Sequence, residues 1–135
     1  MTKAILMSIH PKWAAKIYAG EKTIEWRKSF PIKCWFGGMK IFLYETRPIG
    51  KITGCFELRD VSTYNKNEYE CKFIRKDYVE KNGCLSIEEL NKYQGNSKRL
   101  FAWCVMNALR YEKPLNLASF GLNRPPQSWQ YVEVK

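Results

Sequence analysis

The sequence predicts an α+β domain built on a mixed β-barrel, with one N-terminal helix and a helical insert in the middle. Three observations carry that prediction. Ala4–Arg27 reads strand, helix, strand; further strand-like runs are interrupted by helical composition; strand-like runs then return up to Val134. Strands and helices mixed in this order argue an α+β domain. At 135 residues the chain amounts to one domain, residues 1–135. Its composition, 45% hydrophobic and 15% aromatic, fills one core and excludes disorder.

Ala4–Ile9 is the first strand. His10-Pro11 then opens a helix, with proline at the first position, where its missing N–H costs little. Trp13, Ala14, Ile17 and Tyr18 recur at helical spacing as a buried stripe, and Lys12 and Lys16 face water. Gly20 stands where a left-handed residue ends the helix. Thr23–Arg27 alternates, with Ile24 and Trp26 on one face and Thr23, Glu25 and Arg27 on the other. Lys28–Gly38, which holds Pro31 and Gly37-Gly38, is a loop. Lys40–Glu45 is a strand and Arg47-Pro48 the turn out of it.

Gly50–Val61 is a long strand whose Gly54 signals a bend or a close backbone approach. Asn67–Lys81 has helical composition and ends before Asn82-Gly83. Ser86-x-x-Glu89 is a capping box that opens a second short helix ending near Gly95. Leu100–Leu109 is apolar on both faces, as a central strand is, and Lys113-Pro114 breaks it. Arg124–Ser128 is a turn and Trp129–Val134 the final strand, expected to pair beside Ala4–Ile9 and Lys40–Glu45.

Charge is lopsided: 23 Lys and Arg against 13 Asp and Glu leave +10. That excess favours polyanions, through counterion release where the partner is nucleic acid. The five cysteines, Cys34, Cys55, Cys71, Cys84 and Cys104, are odd in number and mostly sit in apolar runs. Neither a disulfide framework nor a zinc knuckle fits them. The apolar stretch Ala4–Met7 is too short for a signal-peptide core, and no run approaches a membrane span, so a cytoplasmic, reduced protein is expected. No Ser/His/Asp set, H-E-x-x-H or phosphate-cradling glycine loop is present.

Two stretches carry a family signature. Gly20-Glu21-Lys22-Thr23-Ile24-Glu25-Trp26-Arg27 has the form G-x-K-x-x-E-x-R and follows Ser8-Ile9-His10-Pro11. The second is the ending, Tyr111-Glu112-Lys113-Pro114-Leu115 and then Pro125-Pro126-Gln127-Ser128-Trp129-Gln130-Tyr131. With Leu43-Tyr44-Glu45 and Ile52-x-Gly54-x-Phe56, these resemble the ASCH family of PUA-like domains. They resemble in particular a small branch labelled as predicted transcriptional regulators. The resemblance covers nearly the whole chain. It implies a PUA-like barrel, an RNA-linked role, no cofactor and no metal.

Glu25 and Arg27 lie two apart on a strand and share a face, and Lys22 lies at the turn before it. Two cations and one anion suit a ligand with a phosphate, a carbonyl and an exocyclic amine, because Arg forks onto oxygens and Glu accepts from N–H. The same spacing also describes an ordinary exposed Glu–Arg pair, worth little. Tyr44, Trp129 and Tyr131 sit at strand ends and are either a stacking wall or edge packing. The runs Lys72–Lys76 and Ser97-Lys98-Arg99 are either phosphate-tracking surface or a solvated face. His10 serves helix entry better than general base catalysis.

The first functional reading is RNA or nucleotide binding, in a basic cleft at the barrel mouth formed by Lys22, Glu25, Arg27, Tyr44, Ser128, Trp129 and Tyr131. The alternative is a hydrolase using Lys22 and Glu25. One ASCH branch hydrolyses the amide of acetylated cytidine with the motif lysine, a threonine three residues later and a distant glutamate. Here Glu25 holds the threonine's position, so that triad does not carry over intact, and Glu80, Glu88 and Glu89 are all candidates for the third member. Nuclease activity, also attributed to ASCH domains, is the other form of the alternative. Either way the partner is RNA or a nucleotide and not a membrane.

Overall fold

Every residue of Ala4–Ile9 is buried, so β1 (Thr2–Ile9) is covered on both faces along this run, which apart from Ser8 is apolar. The computed structural model describes residues 2–32, 34–68 and 76–134. Ile5, Met7 and Ile9 pack under α1 (Pro11–Tyr18), against Met39, Ile41 and Leu43 of β3 (Met39–Glu45). Ala4 and Leu6 face the opposite side, with Phe42 and Tyr44. The first of these clusters also takes Phe56 and Leu58 from β4 (Lys51–Tyr64) and Trp103 and Val105 from β5 (Leu100–Leu115). A separate cluster joins Ile24 and Trp26 of β2 (Ile24–Arg27) to the insert helices α2 (Lys76–Gly83) and α3 (Ile87–Gln94) through Val79, Ile87 and Leu90.

The strands form one mixed sheet of six in the order β2-β5-β4-β3-β1-β6, with β6 spanning Trp129–Val134. β6 runs antiparallel to β1, which pairs in parallel with β3, as the position of the ending predicts. The expected closed barrel is not formed among the described residues: β2 and β6 are the two edges of the sheet. The gap near them is crossed by a side chain instead of a ladder, since Arg27 of β2 donates to the Ser8 carbonyl of β1 and to Ser128 just before β6.

His10 caps α1 with Nδ1, which accepts the Lys12 N–H, so its role here is helix entry. The capping box of Ser86 and Glu89 is complete, and α3 ends at Gly95 as expected. α2 includes Asn82 and Gly83 and so ends slightly later than predicted. The predicted helical stretch from Asn67 otherwise gives a short 3-10 turn at Lys66–Glu68, and its middle lies outside the described residues. β5 does not break at Lys113-Pro114 but continues to Leu115. Its other neighbour, β2, pairs only with Phe101–Cys104, so Pro114 lies on a free edge where no N–H is required. β4 and β5 are bulged at three places, one of them beside Asn107 at φ 51, and bulges let such long strands bend. Among the described residues no helix is long and apolar enough to cross a membrane.

Gly54 is the close approach its position suggested. A Cβ there would lie 2.1 Å from the Leu109 carbonyl oxygen and 2.7 Å from the Tyr18 hydroxyl. Tyr18 cannot retreat freely, because its hydroxyl shares a 2.8 Å hydrogen bond with Thr53. Gly54→Ala is therefore expected to cost about 1–3 kcal/mol of stability as overpacking. A urea midpoint equal to that of wild type would show that the sheet relaxes around the methyl group and would refute this account.

Candidate functional site

Gly20, at φ 80, reverses the chain after α1, and the N–H groups of Glu21 and Lys22 then donate to the Lys16 carbonyl. This fixes the backbone of Lys22. The Thr23 N–H donates to the Asn82 carbonyl, and the Thr23 hydroxyl to Asn82 Oδ1, which docks the C-terminal end of α2 beside the turn. A helix C-terminus leaves carbonyls without partners and carries partial negative charge. Lys22 answers one of them: its ammonium donates to the Gly83 carbonyl at 2.7 Å. Gly83 must be small for this, since a Cβ there would lie 2.2 Å from Trp26 Nε1.

Lys22 is only 2% exposed and Glu25 5%. Lys22 Nζ stands 3.5 Å from Glu25 Oε1, and the Arg27 guanidinium grips Oε2 through Nε at 2.9 Å and Nη2 at 2.7 Å. The same guanidinium donates to Ser128 Oγ at 3.1 Å and to the Ser8 carbonyl at 2.8 Å. The three side chains are thus a buried relay, cation–anion–cation, and not an exposed pair. Burial holds the Lys22 ammonium below the ordinary lysine pKa, and the Glu25 carboxylate only partly offsets that. The Trp13 ring lies 5.0 Å from Lys22 Nζ, close enough for a cation–π contact.

The relay opens on a cleft of about 540 Å³. Trp13 and Trp26 line it on one side, and Leu85, Glu89, Lys92 and Tyr93 on the other. That far wall, built by α3 and by Leu85 just before it, is the part of the site that sequence reasoning missed. Its available signal was the capping box, which fixes the start of α3, and the i, i+3, i+4 spacing of Glu89, Lys92 and Tyr93, which puts them on one helix face.

Not every predicted residue joins the cleft. Ser128 reaches the relay through Arg27. Tyr44 is buried in the cluster on the opposite face of the sheet, with Phe42 and Ile52. Trp129 packs edge-on to Trp103 and Tyr131, and its indole N–H donates to Ser29 Oγ. Tyr131 lies under Lys3, beside the loop after β2. Among the three glutamates, Glu80 accepts the N–H of Ile87 and so caps α3, and Glu88 does not line the cleft. Glu89 does line it, although its carboxylate also completes the capping box, which holds its pKa below the usual range. Most of the Lys72–Lys76 run lies outside the described residues. Cys34, Cys55, Cys84 and Cys104 are free thiols, and among the described residues no group of three potential metal ligands is found.

A mixed-sheet α+β domain with a Lys–Glu–Arg relay at a helix-to-strand turn matches the expected placement of the G-x-K-x-x-E-x-R motif. The family model of the ASCH domain matches residues 7–115, and the chain belongs to that family. It is similar to the ASCH domain-containing ribonuclease of Zymomonas mobilis, at 24% identity over 96% of this chain and 84% of that protein. The crystal structure of ASCH from that organism superposes with a TM-score of 0.78 at 22% identity, covering 96% of this chain and 87% of that one. Two proteins of Ureaplasma parvum also match. They are ATP synthase subunit alpha, at 26% identity, and large ribosomal subunit protein uL22, at 23%. The chain spans 15% of the length of the first and 40% of the second.

Proposed function

We propose that this domain binds single-stranded RNA or its nucleotides in the cleft beside Lys22, Glu25 and Arg27. The observation that carries the reading is the relay itself: a buried lysine and a partly buried arginine held around one carboxylate, opening on a cleft large enough for a nucleotide. Lys22 and Arg27 supply positive charge for a phosphate or carbonyl oxygen, and Glu25 orients both. Trp13 and Tyr93 offer aromatic surface for a base. The name of the Zymomonas relative supports an RNA-related role. The ending Pro125–Tyr131 supports membership of the small branch that it resembles.

A second reading, hydrolysis, is favoured by the placement of Lys22, 2% exposed and 3.5 Å from the Glu25 carboxylate, where burial holds its ammonium below the ordinary pKa. A lysine that gives up its proton more readily serves as a base, here toward water or a ribose hydroxyl, with Glu25 as its orienting partner. The substrate is then an RNA phosphodiester or the amide of an acetylated cytidine.

The test is a titration of labelled single-stranded and duplex RNA at two ionic strengths. The expected affinity is micromolar or weaker and falls with salt, with a logarithmic slope of about −0.7 per phosphate neutralised on single strands. Absence of binding even at low salt would defeat the polymer reading. RNA cleavage or release of acetate from acetylcytidine, lost in Lys22→Ala, would favour the hydrolase.

A further inference from the structure

A second groove, of about 510 Å³, lies beside the cleft. Its lining includes Lys28, Lys98 and Arg99 together with the rings of Phe30 and Phe101, and among the described residues it contains no carboxylate. The cleft, in contrast, sets Lys22, Arg27 and Lys92 against Glu25 and Glu89, an excess of a single positive charge. Of the two depressions, the groove therefore carries the larger excess of positive charge. Among the described residues no ion pair neutralises Lys28, Lys98 or Arg99.

The two depressions are neighbours. Arg27 lines one and Lys28 the other, and Arg27 pairs across the ladder with Phe101. The wall between them is the Lys28 ammonium over the Tyr93 ring, 5.1 Å from its centroid. The aromatic surface is also held in place. Phe30 packs on Phe101 at 5.3 Å and edge-on to Trp35 and Trp103, and the Trp103 and Trp129 indoles both donate to Ser29 beside it. Cations interleaved with fixed rings match how single strands are held, with phosphates neutralised along a track and bases stacked on exposed π faces.

From this geometry we infer that the groove is a second nucleotide subsite, so that the ligand is a single-stranded oligonucleotide running from the cleft across Lys28 and Tyr93 to Lys98 and Arg99. This rests on the RNA reading of the cleft and extends it: the flanking nucleotide gives its phosphate to Lys28, Lys98 and Arg99 and its base to Phe30 and Phe101. A mononucleotide fills the cleft alone.

The experiment uses the full chain and three fluorescein-labelled probes, uridine monophosphate, a single-stranded oligouridylate and inorganic polyphosphate of matched charge, read by anisotropy over a salt series. The double variant Lys98→Glu/Arg99→Glu, on exposed positions, is compared with wild type, and circular dichroism verifies its fold. The expected result is a loss of oligouridylate affinity of roughly tenfold or more and a salt slope lower by about 2, with monophosphate binding unchanged. Oligouridylate that binds wild type and the double variant equally, with the same slope, would overturn the subsite and leave the cleft reading standing. Polyphosphate binding as tightly as oligouridylate would overturn the nucleotide assignment of the groove in favour of a bare polyanion patch. If no probe binds wild type at low salt, the cleft reading fails and the subsite with it.

Discussion

Glu25→Gln is expected to lower the unfolding free energy by about 3–5 kcal/mol, the cost of breaking a buried charge pair from one side. Glutamine preserves shape and one accepting oxygen, so the loss reads charge and not packing. With the carboxylate gone, Lys22 and Arg27 remain desolvated without their shared anion, although Arg27 retains Ser128 and the Ser8 carbonyl. Glu25 is also the strongest influence lifting the Lys22 pKa, so the variant moves that pKa lower still. The control is Asp60→Asn, which breaks the half-exposed Arg59–Asp60 pair and is expected to cost at most about 1 kcal/mol. Urea unfolding followed by tryptophan fluorescence measures both. Equal, small losses would mean that the relay behaves as an ordinary surface pair.

Lys22→Met is expected to separate stability from function. Methionine fills the lysine's volume without a buried charge, and Glu25 keeps both bonds from Arg27. What is lost in the fold is chiefly the bond to the Gly83 carbonyl, a cost of no more than about 1–2 kcal/mol. Ligand affinity is expected to fall by about 1.5–3 kcal/mol, the value of a hydrogen bond from a charged donor. A pH series sharpens the test. Because burial holds the folded-state pKa below the ordinary value of about 10.4, the folded protein releases this proton before the unfolded chain does. As pH rises through the folded-state pKa, wild-type affinity falls with loss of the ammonium. Stability rises from there toward the unfolded-state value, because the unfolded chain then binds more protons. Lys22→Met has neither limb. Alkaline profiles that are identical in wild type and variant would exclude Lys22 from ligand contact.

Much of the scaffold was legible because its signals are local. Pro11 and Gly20 bracket α1, and the Ser86/Glu89 box starts α3. Alternation from Thr23 to Arg27 put Glu25 and Arg27 on one face, where the relay forms. Tyr44 was misleading because a strand end beside a motif says nothing about which face of the sheet is the site. Its partner in the ladder is Ser8, yet its side chain turns to the other core. The Gly83 carbonyl was invisible for a different reason: a backbone acceptor has no residue-type signature, and 61 positions separate it from Lys22. Closure of the barrel was not legible either, since strand patterns fix which face is buried but not whether the outermost strands meet.

The Arg27–Ser128 contact spans 101 positions of sequence, and it has a consequence for timing. Local structure such as α1 and the β3–β4 hairpin forms without it, but the guanidinium gains this partner only after Ser128 has left the ribosome. Contacts of such separation close late and slow folding. A nascent chain therefore carries Lys22, Glu25 and Arg27 well before the Ser128 hydroxyl that completes the bonding of the guanidinium.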